Sequence, residues 1–134
     1  MLDDLGIVAT LNWFCREYQK TYSHISVANE IEISEDEVSN PLKTAIFRIS
    51  QEAMNNIAKH SGASKVHLSL KKEENAIVLV IRDNGHGFDL EKVVRGMGLS
   101  TMKERTELSG GSFTIESVED QETVIRASWP YGQE

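Results

Sequence analysis

Hydrophobic positions change their period several times along this chain, and each change marks a new element. From about Asp3 to Ser23, Ile7, Leu11, Phe14, Tyr18 and Tyr22 recur at helical spacing and predict a helix with one apolar face. Asp3 or Asp4 is placed to cap its first turn. From His24 to Ile33 the period shortens: Ile25, Val27, Ile31 and Ile33 alternate with polar residues, as in a half-buried strand. The acidic run Ser34-Glu35-Asp36-Glu37 reads as a solvated connection. Asn40-Pro41 then predicts a second helix, a capping amide followed by proline at the first helical position. Leu42, Ile46, Ile49, Ala53 and Ile57 form its buried stripe, and its end is expected near Ser61-Gly62.

Two strands follow, Lys65–Leu70 and Ala76–Asp83, joined by a polar turn over Lys71–Asn75. The second holds the most apolar run of the chain, Ala76–Ile81, and is expected at the centre of a sheet. Asp83 to Gly98 reads as a long loop rich in glycine. A third helix is predicted from about Leu99 to Ser109, stopped by Gly110-Gly111, and strands Ser112–Ser117 and Thr123–Trp129 close the chain before Pro130. Five strands and three main helices make an α/β two-layer sandwich, its sheet mixed but mostly antiparallel, with helices on one face and the other face largely wet.

Composition narrows the classes. With 134 residues the chain suits a single domain, 1–134, and its 40% hydrophobic and 26% charged content is that of an ordinary globular protein. A net charge of -7 argues against an electrostatically driven nucleic-acid binder. No apolar run approaches membrane-spanning length, no secretory pattern opens the sequence, and the single Cys15 fits the core of a cytoplasmic domain. Because Leu2 runs straight into a helical pattern, the chain reads as a fragment of a longer protein, with the parent open to anchoring in the inner membrane.

Three separated motifs carry the chemistry. On the second helix, Asn56 lies about 40° from Glu52 around the axis and Lys59 about 20° on the other side, so the three predict one polar stripe bordering the apolar face. A carboxylate, an amide and an ammonium at a core boundary can floor a pocket whose ligand supplies the missing charges; the alternative is a solvated Glu-to-Lys pair. Asp83, at the end of the apolar strand, shares its face with Ile77, Leu79 and Ile81, where a carboxylate needs a hydrogen-bond donor such as a purine amine. Read alone, Asp83-Asn84-Gly85 is also a common turn. Gly85, Gly87, Gly96 and Gly98 allow backbone N–H groups close to phosphate oxygens, and Gly98 directly precedes the third helix. No Walker loop or G-x-G-x-x-G fingerprint is present.

In order and spacing these motifs resemble the catalytic ATP-binding domain of bacterial two-component sensor histidine kinases, within the superfamily that includes DNA gyrase B, Hsp90 and MutL. Glu52–His60 is similar to its N box, Asp83–Phe88 to the first glycine box and Gly96–Leu99 to the second. The opening Leu2–Gly6 and Lys59-His60-Ser61 look most like the subfamily of nitrate/nitrite sensors. The resemblance implies a Bergerat-type ATPase fold with ATP and Mg²⁺ as cofactors. It implies that Asn56 holds Mg²⁺, Glu52 orients or activates the attacking group, Lys59 reaches a phosphate and Asp83 binds the adenine amine. Gly85 and Gly87 would shape the base pocket, Gly96, Gly98 and Leu99 the lid and phosphate cradle, and Thr123 would contact adenine.

The partners implied are the protein's own dimerisation and phosphoacceptor domain, within a homodimer, and a response regulator of the nitrate-response type. Three features depart from the family pattern, the first being a short loop from Asp89 to Arg95 that suggests a compact lid. Gln121-Glu122 stands where a glycine usually precedes the threonine, and none of His24, His60, His67 or His86 has the setting of a phosphoacceptor. The alternatives weighed are a stand-alone serine kinase of the anti-sigma type and a degenerate domain kept for protein contacts.

Overall fold

The computed structural model describes residues 2–86, 99–117 and 122–131. Within them, α1 (Leu2–Thr21) leads to β1 (Ser26–Glu32), and α2 (Asn40–Asn56) leads to the hairpin of β2 (Lys65–Glu73) and β3 (Ala76–Asp83). α3 (Leu99–Leu108) precedes the paired strands β4 (Ser112–Ser117) and β5 (Thr123–Pro130). The strands form one five-stranded sheet in the order β1-β2-β3-β5-β4, in which β1 and β2 run parallel and every other pair antiparallel. β3 is central, as its apolar composition predicts.

Strand alternation sorts the two faces. Ile77, Leu79, Ile81 and Asp83 stand opposite Trp129, Ala127, Ile125 and Thr123 across the β3–β5 ladder, and all eight are buried. This face packs against α2 through Ile46, Ile49, Ala53 and Met54, and the same core takes in Ile7, Leu11, Cys15 and Tyr18 of α1. Rings join the first two helices: Phe14 meets Phe47 edge-on at 5.9 Å, and the Tyr18 hydroxyl donates to the Met54 carbonyl at 2.9 Å. Fully burying side chains of this size is worth about 1.5–3 kcal/mol each. The opposite face is polar, with Glu30 paired to His67 at 2.8 Å and to Lys71 at 2.9 Å.

Several local features differ from the sequence reading. α1 is not continuous: Gly6 is non-helical at φ 83, ψ 176. The reason lies in the acidic run, which is no mere solvated connection. The Ile7 N–H donates to the Glu35 carboxylate at 3.0 Å, the Val8 N–H donates to its other oxygen, and Lys43 Nζ pairs with it at 3.1 Å. Glu35 therefore caps the main part of α1, and a Cβ at Gly6 would stand 2.4 Å from its carboxyl carbon. Partial burial resists ionisation, but the Val8 N–H, Lys43 and the Ile7 N–H outweigh it and hold Glu35 below the usual carboxylate range.

Ser39, not Asn40, occupies the N-cap of α2 and makes no side-chain cap bond, while Pro41 falls in the first turn. β2 runs on to Glu73, which shortens the turn to Glu74-Asn75, with Glu74 at φ 53. After Asn56 the helix widens into a π turn, Ile57–Ser61, closed by Gly62 in the left-handed region at φ 67. Such turns are uncommon and cluster at functional sites.

Candidate functional site

The π turn sits beside a small hollow where α2, α3 and the centre of the sheet meet. Asn56 and the apolar Ala53 form the helix wall, Asp83 and Thr123 come from neighbouring strands, and Leu99 closes the side at the start of α3. Four residues singled out in the sequence thus converge: Asn56, Asp83, Leu99 and Thr123. Asp83 is only 4% exposed, and one carboxylate oxygen accepts the Gly85 N–H at 2.8 Å. Burial pushes its carboxyl above the usual range, against the Gly85 hydrogen bond and the nearby His86, with Glu122 adding to the rise. The Thr123 hydroxyl lies 2.7 Å from that of Ser117, so its orientation is set by a neighbouring strand.

Glu122 is exposed and lines a different hollow, beside Lys65, His67 and Arg82 on the polar face of the sheet. The missing glycine before Thr123 therefore places this carboxylate away from the Asn56 wall. Gly85 has a plain reason to be glycine: a Cβ there would stand 2.4 Å from the Ser61 carbonyl oxygen. Gly87, Gly96 and Gly98 lie outside the described residues.

Glu52 stands one turn before Asn56 on α2. It lines a larger hollow of about 410 Å³ between the three helices, with Arg48, Gln51 and Asn55 on the α2 wall and Arg105 from α3. Among the described residues, none of Arg48, Glu52 and Arg105 makes an ion pair within 4 Å. Glu52 and Asn56, four residues apart on the regular part of α2, share one face, and the expected stripe is interrupted at Lys59. The wheel angle used for Lys59 assumes an α-helix, whereas residues 57–61 form a π turn with more residues per turn; Lys59 is exposed and lines neither hollow.

Sequence reading did not assign Arg48, Arg105 or Ser61 a place at the site, and named His60 only as part of the N box. Arg48 was within reach, four residues before Glu52 and so on the same helix face. His60 and Ser61 line the smaller hollow from the π turn. Arg105 carried no signal, because its place depends on how α3 packs. His67 is held by Glu30 on the polar face, and His24 is exposed.

Among the described residues no cluster of three or more His, Cys, Asp or Glu side chains could hold a metal ion by itself. Asn56 offers one hard amide oxygen, a donor suited to Mg²⁺ when other oxygens complete the shell. No helix among the described residues is long and apolar enough to cross a membrane.

Comparison with known proteins gives the family. Residues 42–133 match the model of the histidine kinase-, DNA gyrase B- and HSP90-like ATPases. The chain is 36% identical over 124 residues to the signal transduction histidine-protein kinase/phosphatase DegS of Bacillus subtilis, covering 87% of this chain and 32% of that protein. It is 32% identical over 131 residues to the oxygen sensor histidine kinase NreB of Staphylococcus carnosus, covering 96% of this chain and 38% of that protein. The chain thus spans about a third of the length of these relatives. The histidine kinase domain of the blue-light activated histidine kinase from Erythrobacter litoralis has the same fold, with a TM-score of 0.79 at 14% identity over 95% of this chain and 62% of that one. The chain belongs to the family of histidine kinase-, DNA gyrase B- and HSP90-like ATPases, as an ATP-binding catalytic domain of the histidine-kinase kind.

Proposed function

We propose that this chain binds Mg²⁺–ATP and donates the γ-phosphoryl group to a histidine on a separate dimerisation and phosphoacceptor domain. The observation that carries the reading is the meeting of Asn56, Asp83, Leu99 and Thr123 around one hollow. Asp83 would accept the adenine amine, with Thr123 beside it, and Gly85 and Gly87 would leave room for the ring. Asn56 would hold Mg²⁺, whose charge offsets that of the phosphate oxygens. Gly96, Gly98 and Leu99 would lie along the phosphates, and Lys59 would reach them only from the rim. Glu52 would orient the acceptor imidazole and take its proton as the nitrogen–phosphorus bond forms and the bond to ADP breaks.

The phosphate would then pass to a response regulator, of the nitrate-response type by the resemblance of the opening residues and of Lys59-His60-Ser61. The parent protein would act as a homodimer, with this domain on the cytoplasmic side. The test mixes the chain, Mg²⁺ and labelled ATP with a histidine-bearing dimerisation segment, using wild type and Asn56→Ala. Acid-labile phosphate on the segment is expected from wild type and reduced at least about tenfold in the variant, the loss of one ligand to a charged group. Equal transfer by both would refute the metal role of Asn56.

A further inference from the structure

The end of α2 and the loop after β3 are tied together by a short series of bonds that converge on one residue. The Ser61 hydroxyl closes the π turn, donating to the Ile57 carbonyl at 2.8 Å and accepting the Ala63 N–H at 3.1 Å. With Gly62 reversing the chain at φ 67, the Ser61 carbonyl is left to accept the His86 N–H at 2.9 Å. Gly85 passes so close to this carbonyl that a Cβ would stand 2.4 Å from its oxygen, and 2.8 Å from Asp83 Oδ1 on the other side. The Gly85 N–H, held there, donates to that same Oδ1 at 2.8 Å. Ser61 and Asp83 are 5% and 4% exposed, so water has little access to replace either end of the series.

We propose that Ser61 is a positioning residue for base recognition: by fixing the π turn it sets Gly85, and through Gly85 it sets the rotamer of the Asp83 carboxylate. The inference rests on the reading of Asp83 as acceptor of the adenine amine. One carboxylate oxygen is committed to Gly85, which leaves the other as the acceptor for a ligand donor. A carboxylate free to rotate would present either oxygen and would also spend time away from the hollow. A buried hydroxyl with both a donor and an acceptor partner is a rigid way to prevent this, because any movement orphans a buried polar group.

A merely structural role would weaken every nucleotide alike, whereas a role through Asp83 must depend on the exocyclic amine. The experiment therefore compares the affinity of Mg²⁺–ATP with that of Mg²⁺–purine riboside triphosphate, which lacks only that amine, by calorimetry. Wild type is expected to prefer ATP by about 10- to 100-fold, the range for a hydrogen bond to a charged group. In Ser61→Ala the preference should fall to within about threefold, through loss of ATP affinity, while the affinity for the amine-free analogue is unchanged. Equal weakening of both ligands, or no change in either, would overturn the proposal. A wild-type ratio near one would sink the underlying reading of Asp83 instead. A urea melt establishes that the variant is folded; if it is not, Ser61→Cys, which keeps the volume but replaces the hydroxyl by a weak donor, reads the same ratio.

Discussion

Glu35 and Asp83 both accept backbone N–H groups, and their circumstances differ in a way that separates structure from function. Glu35, at the corner between the first helix and the second, takes two N–H groups and the Lys43 ammonium. Its charge is matched, its pKa lies low, and it asks for no further partner. Asp83, at the end of the central strand, is more deeply buried and takes the single Gly85 N–H, and burial drives its pKa up. A fold gains nothing from burying such a group. Natural proteins keep a destabilising residue where a ligand needs it, so the imbalance is itself a mark of the site.

The largest expected effect follows from this contrast. Asp83→Asn replaces an acceptor by a group that presents a donor to the adenine amine, and nucleotide affinity should fall by about 10- to 100-fold or more. Stability should be unchanged or rise, since a buried amide costs less to desolvate than a carboxylate. Calorimetry and a urea melt on the same sample read both quantities. Loss of stability with affinity intact would reverse the roles assigned to the two acids.

Glu35 should behave in the opposite sense. Glu35→Ala leaves the Ile7 and Val8 N–H groups to water and Lys43 unpaired, which should cost about 1 kcal/mol of stability, as for other lost helix caps. Gly6→Ala should destabilise similarly, because its φ of 83 suits glycine and its Cβ would press on the Glu35 carboxylate. Nucleotide affinity of the folded fraction should stay within about twofold in both variants. A drop in affinity as large as that of Asp83→Asn would tie the corner to the site and dissolve the distinction.

The two acids also differ in how far the sequence exposed them. Asp83 was legible because strand alternation is local: Ile77, Leu79 and Ile81 fix its face, and the next described element is α3 and not a returning strand. Glu35 was not, since its N–H partners lie 27 and 28 residues away, and nothing in an acidic run says which member will cap a distant helix. The same boundary runs through α2. Asn56 lies in the regular part of the helix, where the period holds, but Lys59, three residues later, falls in the π turn, where the period changes. Ser61 closes that turn through bonds to Ile57 and Ala63, yet its grip on the loop after β3 is tertiary. Arg105 shares a hollow with Glu52 because of helix packing, which a period does not encode.

The smallest effect, and the one that tests the contrast most directly, is the pH dependence of stability. Glu35 has a folded pKa below its unfolded value, so the unfolded chain binds the extra proton. Its stabilisation is present above the ordinary carboxylate range and is lost as pH falls through the lowered folded value. Asp83 has a folded pKa above its unfolded value, so here the folded chain holds the extra proton. Its contribution is fully present below the ordinary range and is lost as pH rises through the raised folded value. Glu35→Gln should therefore flatten the acid side of the stability curve, and Asp83→Asn should remove a decline above it. Nucleotide binding should follow Asp83 alone, weakening as pH falls through its raised pKa, because a protonated carboxyl offers the amine a poorer acceptor. Affinity that instead tracked the acid limb of Glu35 would show that the corner, and not the end of β3, governs the site.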